Sequence, residues 1–356
     1  MTCTRLALLA AALLPAATWA QSTITLYGMV STAVRYTRNI DGLHQNKSEL
    51  IGSGIGNSFL GIAGQEDLGG GATAFFTLEH GIDLDSGTSV DAATFWECQA
   101  TLGLRTDWGT VSLGRQYNAL NNVAWSLNPL VQGWGVYWSD PVYIGGDIFY
   151  QDYRIDNSIV YQHTTGPVQW QVEYGFGEQP GSARRGQTLG AGMLYRQGPW
   201  AFGLAYDQQR SANGDSVQRT YALGASYAWA KTTLYTGHLG NRDSANGSAQ
   251  HISYLGLGYQ LGAATHLSGA YYHYRQNRHT TVLNSPQVLG QGRAHAVAAV
   301  LDYALSERTH LYLEADITRM RGGAVGRETH YWGGTPVTTS SHSTRTAAMA
   351  GVRHAF

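Results

Sequence analysis

The side chains that could carry out chemistry in this sequence lack the spacing of a catalytic or metal-binding site. No serine lies in a nucleophile-elbow pattern. Gly69-Gly70-Gly71 lies in a turn rather than before a helix, so it does not predict a phosphate site. The chain has thirteen histidines, and five that are scattered without the spacing of zinc ligands are His273, His279, His295, His310 and His330. We therefore expect no enzyme, no metal and no cofactor.

Cys98 has no companion base at a suggestive spacing. Period-two alternation places it with Ala100, Leu102 and Leu104, which predicts a lipid-facing or packed thiol rather than a nucleophile. The other cysteine, Cys3, lies in the N-terminal segment that we expect to be removed. A single remaining cysteine excludes an intramolecular disulfide.

Fixed charges are the remaining candidates for a function. Charged residues are 13% of the chain, and 23 Lys and Arg oppose 24 Asp and Glu, for a formal net charge of −1. This balance argues against a nucleic-acid partner, which would need a basic surface. Arg154 alternates with Asp156 and Ser158 against the apolar Ile155 and Ile159. The pattern places the two charged residues on the polar face of one strand.

The first twenty residues have the pattern of an export signal. Arg5 precedes the apolar run from Leu6 to Leu14, and Thr18 and Ala20 supply the small residues of a cleavage site. The run is shorter than the roughly 20 residues that a membrane-spanning helix needs. We therefore predict a signal peptide at 1–20 and a mature chain at 21–356.

After Gln21 the sequence contains neither a long apolar run nor a linker, and it reads as one all-β domain. It is rich in Gly (45), Tyr (22) and Trp (10) and poor in Pro (8), which is typical of strands, tight turns and interfacial rings. Segments of about ten residues alternate apolar and polar side chains, which is the pattern of a transmembrane barrel. We find sixteen of them, near 23–27, 58–64, 72–80, 98–106, 109–115, 154–163, 168–176, 188–197, 199–208, 218–229, 231–240, 251–261, 264–275, 294–304, 308–321 and 343–356.

The connections between these segments alternate between short turns and longer polar loops. Short turns on one rim and long loops on the other are expected of a membrane barrel but not of a soluble β-sandwich. The longest irregular stretch is 116–153, and loops of that length are usually functional. The last segment should pair with the one that begins near Thr23, which would close the barrel.

Several motifs resemble the trimeric general porins of Gram-negative, beta-proteobacterial outer membranes. They occur in the family's order from end to end of the mature chain. The matching runs are Gln21 to Gly28 (QSTITLYG), Gly64 to Gly71 (GQEDLGGG), Gly109 to Gln116 (GTVSLGRQ), Arg154 to Tyr161 (RIDNSIVY) and Gly351 to Phe356 (GVRHAF).

The resemblance implies a 16-stranded antiparallel barrel and a third loop, here 116–153, folded into the lumen as a constriction. It implies a homotrimer in the lipid bilayer in contact with lipopolysaccharide. It also implies that outer-membrane assembly machinery reads Phe356. The implied function is passive diffusion of small hydrophilic solutes and ions.

In such porins, basic residues on the wall oppose acidic residues at the inward loop, and two of the family's arginines are missing here. The Ser-Arg-x-Gly element reads Ser58-Phe59-Leu60-Gly61, and the Arg-Gln-Ala element reads Cys98-Gln99-Ala100. The early aspartate is replaced by Ser31. Because rings of fixed charge set ion selectivity, we predict a reduced anion preference.

Three further residues match the family pattern: Arg154, Glu79 and Arg115. Strict alternation with Val111 and Leu113 would turn Arg115 outward unless the strand bends beside the long loop. Together with nearby carboxylates, the residues that we expect at the constriction are Arg154, Glu79, Arg115, Phe59, Gln99, Asp140, Asp147 and Asp156.

Three alternatives to a simple diffusion channel remain open. A substrate-selective channel would bind its solute at the constriction, and the altered positions 59 and 98 favour this alternative. An outer-membrane enzyme would need a catalytic pair near a rim, and the sequence has no such pattern. An adhesin would not need the long segment after the fifth strand.

Overall fold

Sixteen long strands form the protein, as the sequence predicts. The computed structural model describes residues 22–39, 45–130, 153–280, 288–325, 328–329, 338–339 and 342–356. In chain order the barrel strands are β1 (Ser22–Arg38), β2 (Phe59–Gly69), β3 (Ala72–Asp83), β4 (Gln99–Thr106), β5 (Gly109–Tyr117), β6 (Arg154–Thr165), β7 (Val168–Gly175), β8 (Thr188–Gln197), β9 (Trp200–Arg210), β10 (Val217–Trp229), β11 (Thr232–Asp243), β12 (Ser248–Gln260), β13 (Thr265–Gln276), β14 (Gly292–Ala304), β15 (Thr309–Gly322) and β16 (Thr344–Ala355).

Each strand pairs antiparallel with its neighbours, and β1 also pairs with β16, so the barrel is closed. Met29 lies opposite Ala355, and the register continues to Arg38 opposite Thr346. The Gly28 amide donates to the Phe356 carbonyl at 3.2 Å, and the Phe356 amide donates to the Gly28 carbonyl at 3.0 Å. The predicted pairing of the last strand with the first is therefore confirmed.

Alternate side chains on each strand face opposite sides of the barrel wall. On β1, Ile24 and Val34 are 74% and 62% exposed, whereas Ser31 and Arg35 are each 1% exposed. The exposed side is apolar and faces outward, and the buried side faces the lumen. An apolar outer band is the surface that a bilayer requires of a spanning barrel.

The two rims differ in the length of their connections, as predicted. One rim has tight turns such as Gly69 to Gly71, and outward aromatic rings lie near it, among them Trp108, Trp200, Trp229 and Tyr303. The opposite rim has the longer loops. Short strands that the sequence analysis did not predict lie at this rim: Asn46–Ile51, Thr88–Ser89, His279–Thr280, Val288–Leu289, Glu328–Thr329 and Thr338–Thr339.

None of the described helical segments has the length and apolar character needed to cross a bilayer. The single helix among the described residues is α1 (Ala119–Leu127), which begins the long segment after β5. The Asn118 side chain caps it by accepting the Asn121 amide at 2.8 Å, which satisfies one of the free donors of the first turn.

Helix α1 lies inside the barrel against the lumenal face of β8 to β11. Its buried side consists of Ala119, Leu120, Val123, Ala124 and Leu127. Polar groups fix its two ends. The Ala119 amide donates to Glu173 Oε2 at 2.9 Å, and the Tyr254 hydroxyl donates to the Leu127 carbonyl at 3.0 Å.

Gly203 on β9 permits the close approach of α1. A Cβ atom there would lie 2.8 Å from side-chain carbons of Val123, Leu127 and Leu194. The side chains of Val123 and Leu127 therefore pack directly against the backbone of β9, because Gly203 has no side chain between them.

We expect Gly203→Val to lower the free energy of unfolding by about 1–3 kcal/mol, the usual cost of overpacking. Urea unfolding in detergent micelles would measure it. Gly262→Val is the matched control, because no atom lies within 4 Å of the corresponding Cβ position in that short turn. Equal stability of the two variants would contradict the packing of α1 against β9.

Candidate functional site

A cluster of polar and aromatic side chains lies on the lumenal wall between β1 and β6. The Tyr27 hydroxyl donates to Glu79 Oε1 at 2.6 Å. Gln99 lies opposite Glu79 in the register of β3 and β4, and its amide donates to Thr101 Oγ1 at 3.4 Å. Two of the predicted residues, Glu79 and Gln99, are thus neighbours on the wall.

Arg154 lies at the start of β6, between two tyrosine rings at the base of the long segment. Its guanidinium carbon is 5.1 Å from the Tyr117 ring centre and 4.3 Å from the Tyr153 ring centre. Such stacking holds a planar cation in one orientation. The positive charge of Arg154 and the carboxyl group of Glu79 interact electrostatically.

Phe59 and Cys98 form an apolar patch beside these charges. Phe59 is 8% exposed and packs with Met29, Cys98 and Tyr27. The Phe59 and Tyr27 ring centres are 6.0 Å apart in an edge-to-face arrangement. The two positions at which the family pattern has arginines therefore lie together on the lumenal wall and are both apolar.

Of the two environments predicted for Cys98, the packed one is correct and the lipid-facing one is wrong. Leu102 and Leu104 are exposed on the outer face, but Cys98 is 3% exposed. Strand β4 begins only at Gln99, so the alternation of the strand does not extend to the cysteine. Burial raises the pKa of the Cys98 thiol, which disfavours a nucleophilic thiolate.

Arg115 keeps the strict alternation of β5. It lies opposite Ala100, as Leu113 lies opposite Leu102, and therefore shares the outward face. The register of β5 and β6 shifts between Gly114 and Gln116, and Gly114 has a φ of +119° that favours glycine. Arg115 Nε donates to the Glu97 carbonyl at 2.7 Å, and the guanidinium forms an ion pair with Asp156.

The pattern for Asp156 is only partly followed in the structure. Asn157 has a φ of +49°, which interrupts the alternation between Asp156 and Ser158. Ser158 is 3% exposed on the lumenal side, whereas the Asp156 side chain is 61% exposed and pairs with Arg115. Arg115 and Asp156 line a polar cavity with Arg154 near the long-loop rim.

Two other predicted constriction residues, Asp140 and Asp147, lie outside the described residues. Ser31, at the position of the family's aspartate, is buried. Its amide donates to Ser58 Oγ at 2.9 Å, and its hydroxyl lies 3.2 Å from the Tyr312 hydroxyl.

The sequence analysis missed a second group of lumenal charges at the closure of the barrel. Arg35 lies 3.7 Å from Asp316 across the lumenal face. Arg353 lies 3.1 Å from Asp302, which also contacts His310 at 2.5 Å. Alternation could have identified Arg353, because Val352 and His354 on either side of it face outward. The pairing of distant strands could not be read from the sequence.

These features define a membrane barrel with an apolar exterior and a charged, polar interior, which is the architecture of an outer-membrane channel. The chain belongs to the Gram-negative porin family, whose match covers residues 7–323. It is an outer-membrane porin that forms a diffusion channel, as predicted.

Two porins from beta-proteobacteria are similar over most of the sequence. The outer membrane porin protein 32 of Delftia acidovorans is 29% identical over 96% of each chain. An outer membrane porin protein of Bordetella pertussis is 27% identical over 86% of this chain and 92% of its own. The solved anion-selective porin from Comamonas acidovorans has a similar fold, with a TM-score of 0.74. It is 23% identical and covers 94% of this chain and 100% of its own.

We expect Glu79→Gln to raise the permeability of chloride relative to potassium roughly threefold to fivefold. A unit charge acts on an ion 4 Å away in water with about 1 kcal/mol, and the change leaves Arg154 without its acidic neighbour. The reversal potential across a KCl gradient in a planar bilayer measures the ratio.

Glu178→Gln is the matched control, because it removes the same charge from an exposed loop residue that is bonded to Asn157. An unchanged ratio in Glu79→Gln, or an equal change in the control, would show that Glu79 does not act on permeating ions.

Proposed function

We propose that the wall cluster around Arg154 and Glu79 is part of the pore constriction and that the channel has a reduced anion preference. Phe59, Gln99, Arg115 and Asp156 border or belong to this region. Asp140 and Asp147 complete the proposed set as residues of the long segment 116–153. The observation that carries the proposal is the apolar packing of Phe59 with Cys98 where the family pattern has two arginines.

The arginines at the barrel closure do not replace the two that are missing. Arg35 faces Asp316 and Arg353 faces Asp302, so these two positive charges each have a nearby carboxylate. Further carboxylates on the lumenal face are Glu173, Asp207 and Glu314. Opposite charges at short range produce a weak net field for a passing ion. The lumen thus has little excess positive charge with which to attract anions.

The similar porin from Comamonas acidovorans is described as anion-selective. We propose that the two porins differ in the strength of their anion selectivity, and that this difference arises from residues of the pore wall rather than from the shape of the barrel. A weak or cationic selectivity in this chain, beside an anion-selective relative, would identify positions 59 and 98 as determinants.

A substrate-selective channel is the second candidate, and the patch of Phe59, Met29 and Cys98 favours it. Apolar residues in place of two wall arginines make this part of the wall less charged, which favours a neutral or aromatic solute whose polar groups bind Arg154 and Glu79. A flux that saturates with solute concentration would support binding at the constriction. A strictly linear flux would leave only simple diffusion.

The proposed porin function also implies the protein's partners and a lack of enzymatic activity. We propose a homotrimer in the outer membrane that contacts lipopolysaccharide and is assembled through recognition of Phe356. We propose no enzymatic activity and no cofactor. These assignments are supported by membership of the porin family and by the raised pKa of the buried Cys98 thiol.

We expect Cys98→Arg to shift the reversal potential toward chloride, because it adds a positive charge next to Phe59 on the wall. Cys98→Ser is the control, since it changes the thiol but not the charge. Both are compared with the parent chain by single-channel conductance and reversal potential in KCl. Chloride selectivity in the parent chain as strong as in Cys98→Arg would refute the proposed role of positions 59 and 98.

A further inference from the structure

The outward face of β11 to β15 is basic near the long-loop rim. Two rows of side chains, here called the basic belt, cross these strands side by side. The upper row contains His251, Arg275, Arg293 and Arg321. The lower row contains His238, Ser253, His273, His295 and Arg319.

Positive charges in the belt are direct cross-strand neighbours. Arg275 lies opposite Arg293, and Arg293 lies opposite Arg321. All three are exposed. Like charges directly opposite each other destabilise a sheet, and arginine on the lipid face of a barrel adds a further cost. Three arginines in adjacent positions therefore indicate an anionic partner that offsets both costs.

The partner of these arginines is not another side chain in the described part of the protein. No aspartate or glutamate faces outward among the described residues of β11 to β15, and none forms an ion pair with Arg275, Arg293 or Arg321. Within the described part of the chain, the belt is thus a positive surface without a counter-charge.

The belt lies where the headgroups of the outer leaflet would be. Below the lower row the outward positions become apolar or aromatic, with Leu255, Tyr271, Val297 and Ile317 side by side on β12 to β15. Along β14, Tyr303 lies eight residues from His295. At about 3.3 Å per residue and a tilt near 40°, this is a height of roughly 20 Å, close to the apolar band of a bacterial barrel. The upper row is at the outer edge of that band.

Hydrogen bonds and ring stacking hold the lower row in place. His238 Nδ1 is 2.7 Å from Ser253 Oγ, and His295 Nδ1 is 2.6 Å from the Tyr271 hydroxyl. The His273 and His295 rings stack with centres 4.8 Å apart. A groove of about 840 Å³ runs over this surface, lined by residues of both rows. The belt therefore offers fixed donors around a concavity in addition to its charge.

We propose that the basic belt binds the phosphorylated sugar headgroup of lipopolysaccharide. Guanidinium groups bind phosphate oxygens in bidentate fashion, and the histidine and hydroxyl donors of the lower row suit the sugar hydroxyls. The inference rests on the outer-membrane location and gives the lipopolysaccharide contact proposed above a defined site. It requires no particular selectivity of the pore.

The test uses the full chain, refolded in detergent and titrated with fluorescent bisphosphorylated lipid A. The variant is Arg275→Gln with Arg293→Gln and Arg321→Gln. The matched control is Arg105→Gln with Arg196→Gln and Arg308→Gln, which removes three exposed arginines at the short-turn rim. We expect the belt variant to bind roughly 100-fold more weakly, because each arginine near an anionic membrane surface contributes about fivefold. The control should bind like the parent chain.

Additional ligands identify which anion the belt binds, and an additional variant identifies why lipid A affinity is lost. The parent chain should bind monophosphorylated lipid A more weakly, and phosphatidylglycerol nanodiscs and inorganic phosphate much more weakly still. Replacement of the three arginines by lysine should retain part of the affinity, which an unfolded variant would not. Unchanged binding by the belt variant would refute the proposal. If the parent chain binds phosphatidylglycerol as tightly as lipid A, a headgroup-specific site is refuted. If the belt variant loses its oligomers but still binds lipid A, the belt is a contact between subunits instead.

Conductance in a bilayer free of lipid A separates this inference from the proposed function. The belt faces away from the lumen, so the belt variant should conduct with the parent chain's reversal potential. Normal conductance with unchanged lipid A binding would refute the belt alone. A parent chain that binds lipid A but is strongly anion-selective would refute only the selectivity proposal.

Discussion

Backbone hydrogen bonding in the apolar part of the bilayer is the constraint on which the rest of the structure depends. An unpaired amide or carbonyl group there costs several kcal/mol, so a sheet must close on itself. Ser22–Arg38 and Thr344–Ala355 provide the closure, and their register also fixes which side chains face the lumen. Once Ile24 and Val34 face outward, Ser31 and Arg35 must face inward. The ion pair of Arg35 on β1 with Asp316 on β15 is a consequence of the same closure.

Alternation explains why so much of the fold could be predicted from the sequence. A period of two is a local property, so Leu102 and Leu104, or Val352 and His354, show the orientation of their strand without any knowledge of its neighbours. Turn residues such as Gly69 to Gly71 then fix where each strand ends. The number of strands, the asymmetry of the rims and the identity of the closing pair follow from these local signals.

The residues whose environment could not be predicted lie where alternation ends. Cys98 immediately precedes β4, and Asp156 lies beside the positive φ of Asn157, so the orientation of each depends on a backbone irregularity without a local signal. The short strand Asn46–Ile51 pairs with Ala33 to Arg38 of β1, in a region to which the sequence analysis assigned no strand. Contacts across the lumen, such as the one from Tyr254 to the end of α1, join residues 127 positions apart. Local patterns carry no information about such contacts.

Arginines on the lumenal face and on the outward face of the wall have different neighbours, and the difference bears on both ion passage and membrane binding. Three arginines of the pore side have a nearby carboxylate or stacked aromatic rings: Arg35 and Arg353 face aspartates, and Arg154 stacks between Tyr117 and Tyr153. The outward Arg275, Arg293 and Arg321 are cross-strand neighbours of one another, and none forms an ion pair with a carboxylate of the described residues. In the lumen, opposed charges leave a weak field in which an ion can enter and leave. On the outer face, unopposed charges raise the free energy of the barrel until an external anion binds them, so the folded state gains stability from the membrane that contains it.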